Sequence, residues 1–308
     1  MPAVITDTLR RQIARDFFEQ FQNNTANYYV AIGKSEPWDS SENVPTPVNN
    51  PETIADFRDV MQSIKRVKST SLVVPRNNWS SGTIYSQYDD RAQGYPAQPY
   101  YVKNDNSQVY VCLEAGRNRL GVAVPSVVEP TGSNNDSFRL SDGYVWKFLY
   151  TISAQKQEQF QSSNFMPVQK QLTVDSNSTG IELKQKEVQD SAKSGQVLSV
   201  IITDPGTGFV QPPTITFTGN GNGAKAIADI DSATGTLSRI RIADSGQHLA
   251  HGLGYTTAFV NISGGGGLGA SARAVLAFND SGVGADARVD LKTTSMMFRT
   301  LLEGTDSN

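Results

Sequence analysis

Between Gly195 and about Val275 the chain writes one pattern twice. Gly195 through Gly206 aligns without gaps on Gly235 through Gly246, which matches Val197 with Leu237, Val200 with Ile240, Ile202 with Ile242 and Asp204 with Asp244. Gly208-Phe209 then corresponds to Gly254-Tyr255, with an insertion around Gln247 to Leu253 in the second copy, and Ile215 and Phe217 correspond to Val260 and Ile262. The Gly-rich stretches Gly219 to Ala224 and Gly264 to Ala270 close the match. Each leads into an alternating small-residue strand, Ala224, Ala226, Ala228 in one copy and Ala270, Ala272, Ala274 in the other. The unit reads as strand, Gly turn, strand, Gly-rich turn, strand. Alternation at period two lets each strand bury one face, so two copies are expected to close into a small all-β module.

Upstream the signals differ. Asp7 to about Asn23 reads as a helix, with Thr6 or Asp7 as cap and Leu9, Ile13, Phe17 and Phe21 at three- and four-residue spacing. Asn27 to Gly33 is a β-branched and aromatic run that reads as a strand. Asn50, Pro51 and Glu52 combine a capping side chain, a first-position proline and a first-turn acid, and predict a second helix with Ile54, Phe57, Met61 and Ile64 on its apolar face. Ser69 to Val74 and Tyr144 to Ile152 read as strands, and Tyr100 to Val102 with Gln108 to Leu113 as a hairpin around a polar turn. Tyr85 to Tyr101 reads as a long loop, either disordered or committed to a contact. After Asp190 glycine and alanine rise and aromatics fall. The expected fold class is therefore mainly β with a minor α component. Residues 1–190 form a β-sandwich-like domain capped by N-terminal helices, 191–278 the Gly-rich β-repeat module, and 279–308 a C-terminal tail.

With 27 basic and 30 acidic residues the net charge is -3, without runs of like charge, so neither nucleic acid nor an anionic membrane has an electrostatic footprint here. No apolar stretch approaches the roughly 20 residues of a membrane span, and no secretory signal pattern opens the chain, which is expected to fold in a cytoplasm. Cys112, the single cysteine, lies in an apolar run that reads as a buried strand. Gly264-x-Gly266-x-x-Gly269 has the spacing of a dinucleotide fingerprint, but that fingerprint needs a following helix, and Ala270 to Val275 reads as a strand. His248 and His251, with Asp244 nearby, have the residue types of a metal site; their place in a Gly-flanked insertion reads instead as an exposed loop. Adjacent Asp89-Asp90 reads as a solvated turn. No Gly-x-Ser-x-Gly elbow occurs, so neither serine nor paired-carboxylate catalysis has an anchor. No catalytic residue, cofactor or metal is expected.

The three tryptophans occur in Gly33-Lys34-Ser35-Glu36-Pro37-Trp38, Val74-Pro75-Arg76-Asn77-Asn78-Trp79 and Asp142-Gly143-Tyr144-Val145-Trp146. Each places a large ring beside turn-forming or charged residues, which suits a fixed loop on a β framework. Together with Tyr110 to Leu113 and Ser141 to Tyr150, these blocks resemble, in order and rough spacing over residues 25 to 155, the baseplate wedge subunit of T4-like contractile-tail phages, the gene product 8 type. The Gly195 to Val275 repeat lies outside that pattern and resembles Gly-rich β repeats of phage tail and other virion proteins; Arg288 to Leu302 has no matching block. The resemblance implies a structural virion protein, made in the host cytoplasm, that forms a homodimer and bridges other wedge and tail proteins. Lys34, Glu36, Trp38, Arg76, Trp79, Tyr144 and Trp146 are expected to define the fold, the first five as a salt-bridged corner with guanidinium stacked on a ring, and secondarily to meet partners. Tyr95, Tyr100 and Tyr101, in the tyrosine-rich loop, are the expected aromatic anchors of such a surface. The alternative is a receptor- or glycan-binding tail module, suggested by the Gly-rich repeats and the aromatics.

Overall fold

A computed structural model describes residues 6–23, 27–33, 50–246, 248–277 and 279–301. Thr6 accepts a hydrogen bond from the Leu9 amide and starts α1 (Asp7–Gln22). There follow β1 (Tyr29–Gly33), α2 (Pro51–Asp59), β2 (Met61–Arg66), β3 (Ser69–Pro75), β4 (Tyr101–Lys103), β5 (Gln108–Glu114), β6 (Phe138–Arg139), β7 (Val145–Thr151), α3 (Ala154–Phe160), β8 (Phe165–Val168) and α4 (Gly180–Asp190). The repeat contributes β9 (Val197–Asp204), β10 (Thr214–Gly219), β11 (Asn222–Ala224), β12 (Ala226–Asp231), β13 (Thr236–Ile242), β14 (His251–Leu253), β15 (Ala258–Ser263) and β16 (Ser271–Leu276). The chain then forms α5 (Ala287–Asp290) and β17 (Ser295–Arg299). The fold is mainly β.

The core of the first region lies between two sheets, β17-β3-β8 and β4-β5-β7-β6. Val74, Met166 and Val168 of the one share a core with Tyr101, Val109, Val111, Leu149 and Tyr150 of the other. The opposite face of the four-stranded sheet carries Tyr110, Cys112, Trp146 and Phe148, covered by Val188 of α4 and by Tyr85 and Tyr144. Coverage on both faces explains why β5 and β7 read as continuous apolar runs instead of alternating.

The six-stranded sheet of the module runs β13-β12-β10-β15-β16-β9, antiparallel throughout. That order is the repeat made visible: β10 and β15 pair at the centre, β12 and β16 flank them, and β9 and β13 stand at the two ends. The sheet curls until those end strands lie alongside each other, enclosing Val200, Phe209, Ile215, Ala228, Leu237 and Ile240. The Gly-rich turns have a reciprocal cause. A Cβ on Gly267 of the second copy would lie 2.4 Å from the Phe209 ring of the first, and a Cβ on Gly221 of the first would lie 2.4 Å from the Tyr255 ring of the second. Each copy's aromatic residue packs onto bare backbone of the other.

Three expectations change. Residues 279–301 are not a separate tail: β17 pairs along β3, and Ala287 and Leu291 join the first region's core. The second helix ends at Asp59, so Met61 and Ile64 belong to a strand paired with β1. Helices α3 and α4 were not anticipated, although Thr179 and Glu182 form a full capping box at the start of α4.

Candidate functional site

Lys34, Glu36 and Trp38 lie outside the described residues, so the expected corner is visible only in its second half. There Arg76 donates from Nε to Asn78 Oδ1 (3.1 Å) and from Nη1 to the Ser162 carbonyl (3.1 Å), and among the described residues it spends its guanidinium on these acceptors and not on the Trp79 ring. Trp79 donates from Nε1 to Ser126 Oγ (3.1 Å), whose hydroxyl donates to Asp142 Oδ2 (3.0 Å). The same carboxylate oxygen accepts the amides of Val127 and Val128, and the other accepts that of Tyr144. The second and third tryptophan segments are thus tied through one aspartate. Beside it the Tyr144 and Trp146 rings stack at 5.8 Å, with Tyr85 edge-on to both. Gly116 is required here, since a Cβ would enter the Tyr144 ring at 2.5 Å. Tyr144 and Trp146 are buried, and Trp79 packs against their cluster.

The tyrosine-rich loop is ordered inward. Tyr100 and Tyr101 are buried, so the expectation that they anchor a partner surface is corrected. Tyr101 donates to the Pro75 carbonyl (2.8 Å), Tyr100 to the Asp290 carbonyl (3.3 Å), and half-buried Tyr95 to the carbonyls of Leu291 and Lys292. Sequence composition cannot separate such a loop from an exposed one, because the acceptors of Tyr95 and Tyr100 lie 190 residues or more away along the chain.

Exposed apolar side chains collect elsewhere. β1 and β2 form a two-stranded sheet, which no third strand joins among the described residues, and α2 between them buries none of its residues. Tyr29, Ile32, Ile54, Phe57, Val60 and Ile64 are 42–58% exposed. In α1, Phe17 and Phe21 pack on Tyr28 and Phe298, while Leu9 and Ile13 of the same stripe face outward. An isolated two-stranded ribbon is marginal in water, and large apolar side chains left exposed together on one arm make that arm a candidate interaction site.

A groove of about 550 Å³ lies between the first region and the module. Its walls come from the Ile84–Gln87 stretch, the Ala115–Ala123 loop and the strands β9 and β13. Two ion-pair clamps hold the walls. Arg273 of β16 reaches Asp89 (2.5 Å) and Asp90 (2.8 Å), which corrects the reading of that pair as a solvated turn. Burial opposes ionisation of Asp89, but the Arg273 contact prevails and holds its pKa down. Arg139 grips Glu114 through two nitrogens (2.8 and 3.2 Å), and the pair caps Ile242 at the end of β13: Glu114 accepts its amide and Arg139 donates to its carbonyl.

The two histidines separate. His248 is exposed, whereas His251 is buried, contrary to the exposed-loop reading. Its Nδ1–H donates to the Val197 carbonyl (2.7 Å), leaving Nε2 to accept from Ser137 Oγ (2.9 Å). Burial outweighs the carbonyl bond and pushes the imidazole pKa down to about 4, so it is neutral in this role. Among the described residues no group of three His, Cys, Asp or Glu side chains is placed to hold a metal ion, and no helix is long and apolar enough to cross a membrane. No protein-family model and no curated protein matches the chain.

Proposed function

We propose that this chain is a structural component of a phage tail baseplate wedge, which dimerises and bridges neighbouring wedge proteins during tail assembly and the rearrangement on host attachment. The ordered resemblance of residues 25 to 155 supplies the family. The observation that carries an assembly role is the arm built from β1, α2 and β2, whose apolar side chains stay in water in the single chain. Burying such a face against a protein removes apolar area from solvent at about 25 cal/mol per Å², and isologous pairing of one patch is the commonest way homodimers form. The wedge reading is tested by quantitative mass spectrometry of purified tails against a sixfold baseplate component. Two copies per wedge support it; absence from the particle ends it. The arm is tested separately by the double variant Ile32→Lys, Ile64→Lys, expected to fold normally and fail to enter tails.

One observation favours the alternative of a glycan-binding module. Phe259 is 63% exposed on the outer face of the six-stranded sheet, in register with Thr218 and next to the Asn261 amide. Retention of the isolated chain on host surface polysaccharide, abolished by Phe259→Ala, would favour that reading over the wedge.

A further inference from the structure

We propose that Lys184 and Asn135 become joined by an isopeptide bond that the folded chain makes on its own, with Glu187 carrying the proton. The three side chains form a closed ring of contacts. Lys184 donates from Nζ to Asn135 Oδ1 (3.0 Å) and to Glu187 Oε2 (2.9 Å), and Asn135 donates from Nδ2 to Glu187 Oε1 (2.6 Å). Amine, carboxamide and carboxylate each touch the other two. An ion pair one turn apart on a helix needs no third member. Here both of its ends turn to one carboxamide, and the carboxylate sets one oxygen on the amine and the other on the amide nitrogen. Amide transfer requires this arrangement: a nucleophile, an electrophilic carbon, and a group placed to move a proton from one nitrogen to the other.

The reactants are held from both sides. α4 is seated through its buried residues Gln185, Val188 and Gln189, and it presents Lys184 and Glu187 three residues apart on one face. The loop that carries Asn135 is clamped at three consecutive residues. Lys147 of β7 donates to the Asn135 carbonyl, Lys193 pairs with Asp136 (2.7 Å), and Ser137 bonds to His251 (2.9 Å). Well-oriented intramolecular reactions reach effective concentrations of roughly 10⁵–10⁸ M, which takes the place of an external reagent. Oδ1 and Cγ are one carbonyl bond apart, about 1.2 Å, so rotation about the last bonds of the lysine carries Nζ from the oxygen to the carbon.

The step balances within the chain. The Asn135 hydrogen bond, and after it that of Lys184, holds the Glu187 carboxyl below its ordinary pKa, so it is ionised and able to accept a proton. It takes one from the Lys184 ammonium; the freed lone pair forms the Nζ–Cγ bond, and the carbonyl π pair moves onto Oδ1. Glu187 passes its proton to Nδ2, the oxyanion collapses, and the Cγ–Nδ2 bond breaks. Ammonia leaves, takes up the second proton of the newly bonded Nζ and ends as ammonium, with Glu187 again a carboxylate. Glu187 is exposed, which gives the released nitrogen an open way out. The new bond ties the 131–137 loop to α4, whose Val188 covers Tyr110, Trp146 and Phe148.

The test is intact-mass spectrometry of the purified full chain, followed by proteolysis and peptide mapping. A mass lower than that of the sequence by one ammonia is expected, together with a branched peptide that joins the segments around Asn135 and Lys184. Lys184→Arg keeps the charge and should restore the full sequence mass, and Glu187→Gln should cut the linked fraction of freshly purified protein at least tenfold. Full sequence mass in the native chain after prolonged incubation overturns the proposal, as does an ammonia loss that persists in Lys184→Arg or a branch at any other pair of residues. An unchanged linked fraction in Glu187→Gln overturns the role given to the carboxylate. The mass of the native chain decides the bond whether or not a variant folds. The readout needs no tail particle, so its failure leaves the wedge reading untouched.

Discussion

Asp290 is wholly buried in α5, accepts the Gly284 amide at Oδ2, and has no partner at Oδ1. Burial raises its pKa from 3.8 to about 8, against the Gly284 bond. The folded chain therefore holds this proton more tightly than the unfolded chain. The resulting stability is complete below the unfolded pKa and is lost as pH rises towards 8, at about 1.4 kcal/mol per pH unit. His251 works in the opposite sense. Its pKa falls from 6.5 to about 4 on folding, so stability rises with pH between those values at the same slope per unit. Lys147, lowered by burial to about 8, stays protonated in both states until pH nears 8. From pH 5 to 6.5 the acid and the imidazole nearly cancel. From pH 6.5 to 8 Asp290 removes about 1.6 kcal/mol, while the end of the His251 titration and the onset of that of Lys147 each restore about 0.4 kcal/mol, so the chain loses roughly 1 kcal/mol.

Asp290→Asn keeps an acceptor for Gly284 and deletes the titration. Urea unfolding, followed by near-ultraviolet circular dichroism at pH 5.0, 6.5 and 8.0, is expected to give the native chain a plateau and then a fall. The variant should rise from pH 5.0 to 6.5, on His251 alone, and rise slightly further to pH 8.0. The comparison is one of slopes, because the buried amide leaves its own donor unmet, which lowers the whole curve by about 1–3 kcal/mol. A native chain as stable at pH 8.0 as at 6.5, or a variant with the same alkaline fall, would refute the assignment of a neutral buried acid.

Arg139→Met leaves Glu114 buried against Ile242 and should lower unfolding stability by about 3–5 kcal/mol, while Glu114→Leu combined with Arg139→Met should lose less than the sum of the single changes in a double-mutant cycle. Gly121→Ala puts a Cβ 2.2 Å from the Ser238 carbonyl at a left-handed position; a loss of about 2 kcal/mol, read as a lower urea midpoint, is expected. Cys112 is fully buried and its thiol pKa is pushed up by burial, so iodoacetamide should label it only at the rate of global unfolding, and rapid labelling of native chain would contradict the packing of β5.

The parts of this fold that the sequence announces are those whose cause is local or repeated. Asn50 caps α2 as its spacing requires, the β4–β5 hairpin follows its polar turn, and the module follows from two copies of one pattern. What stayed hidden depends on distant partners. β17 is an ordinary five-residue run until β3 offers it an edge, and the buried lysine at 292 looks like any surface lysine until Tyr88 and Tyr100 close over it. The tyrosine-rich loop is the sharpest case: the composition that suggested a sticky surface instead supplies phenols whose hydroxyls reach carbonyls of α5 and its neighbours.

Aromatic residues buried within a chain cannot also anchor a partner, so Tyr100 and Tyr101 leave the interface and enter the core. Apolar residues that the chain had every opportunity to bury, and did not, take their place. Phe57 sits mid-helix in α2, where docking on the nearby ribbon would hide it, yet it is 46% exposed, and Ile64 in β2 is 54% exposed. Leaving them half in water forgoes roughly 1–1.5 kcal/mol per side chain. Exposure in this arm, set against the inward packing of Tyr85, Tyr88, Tyr100, Tyr101, Tyr110, Tyr144, Trp146, Phe148, Tyr150 and Phe160 among the described residues, is the observation on which the proposed contact with another protein rests.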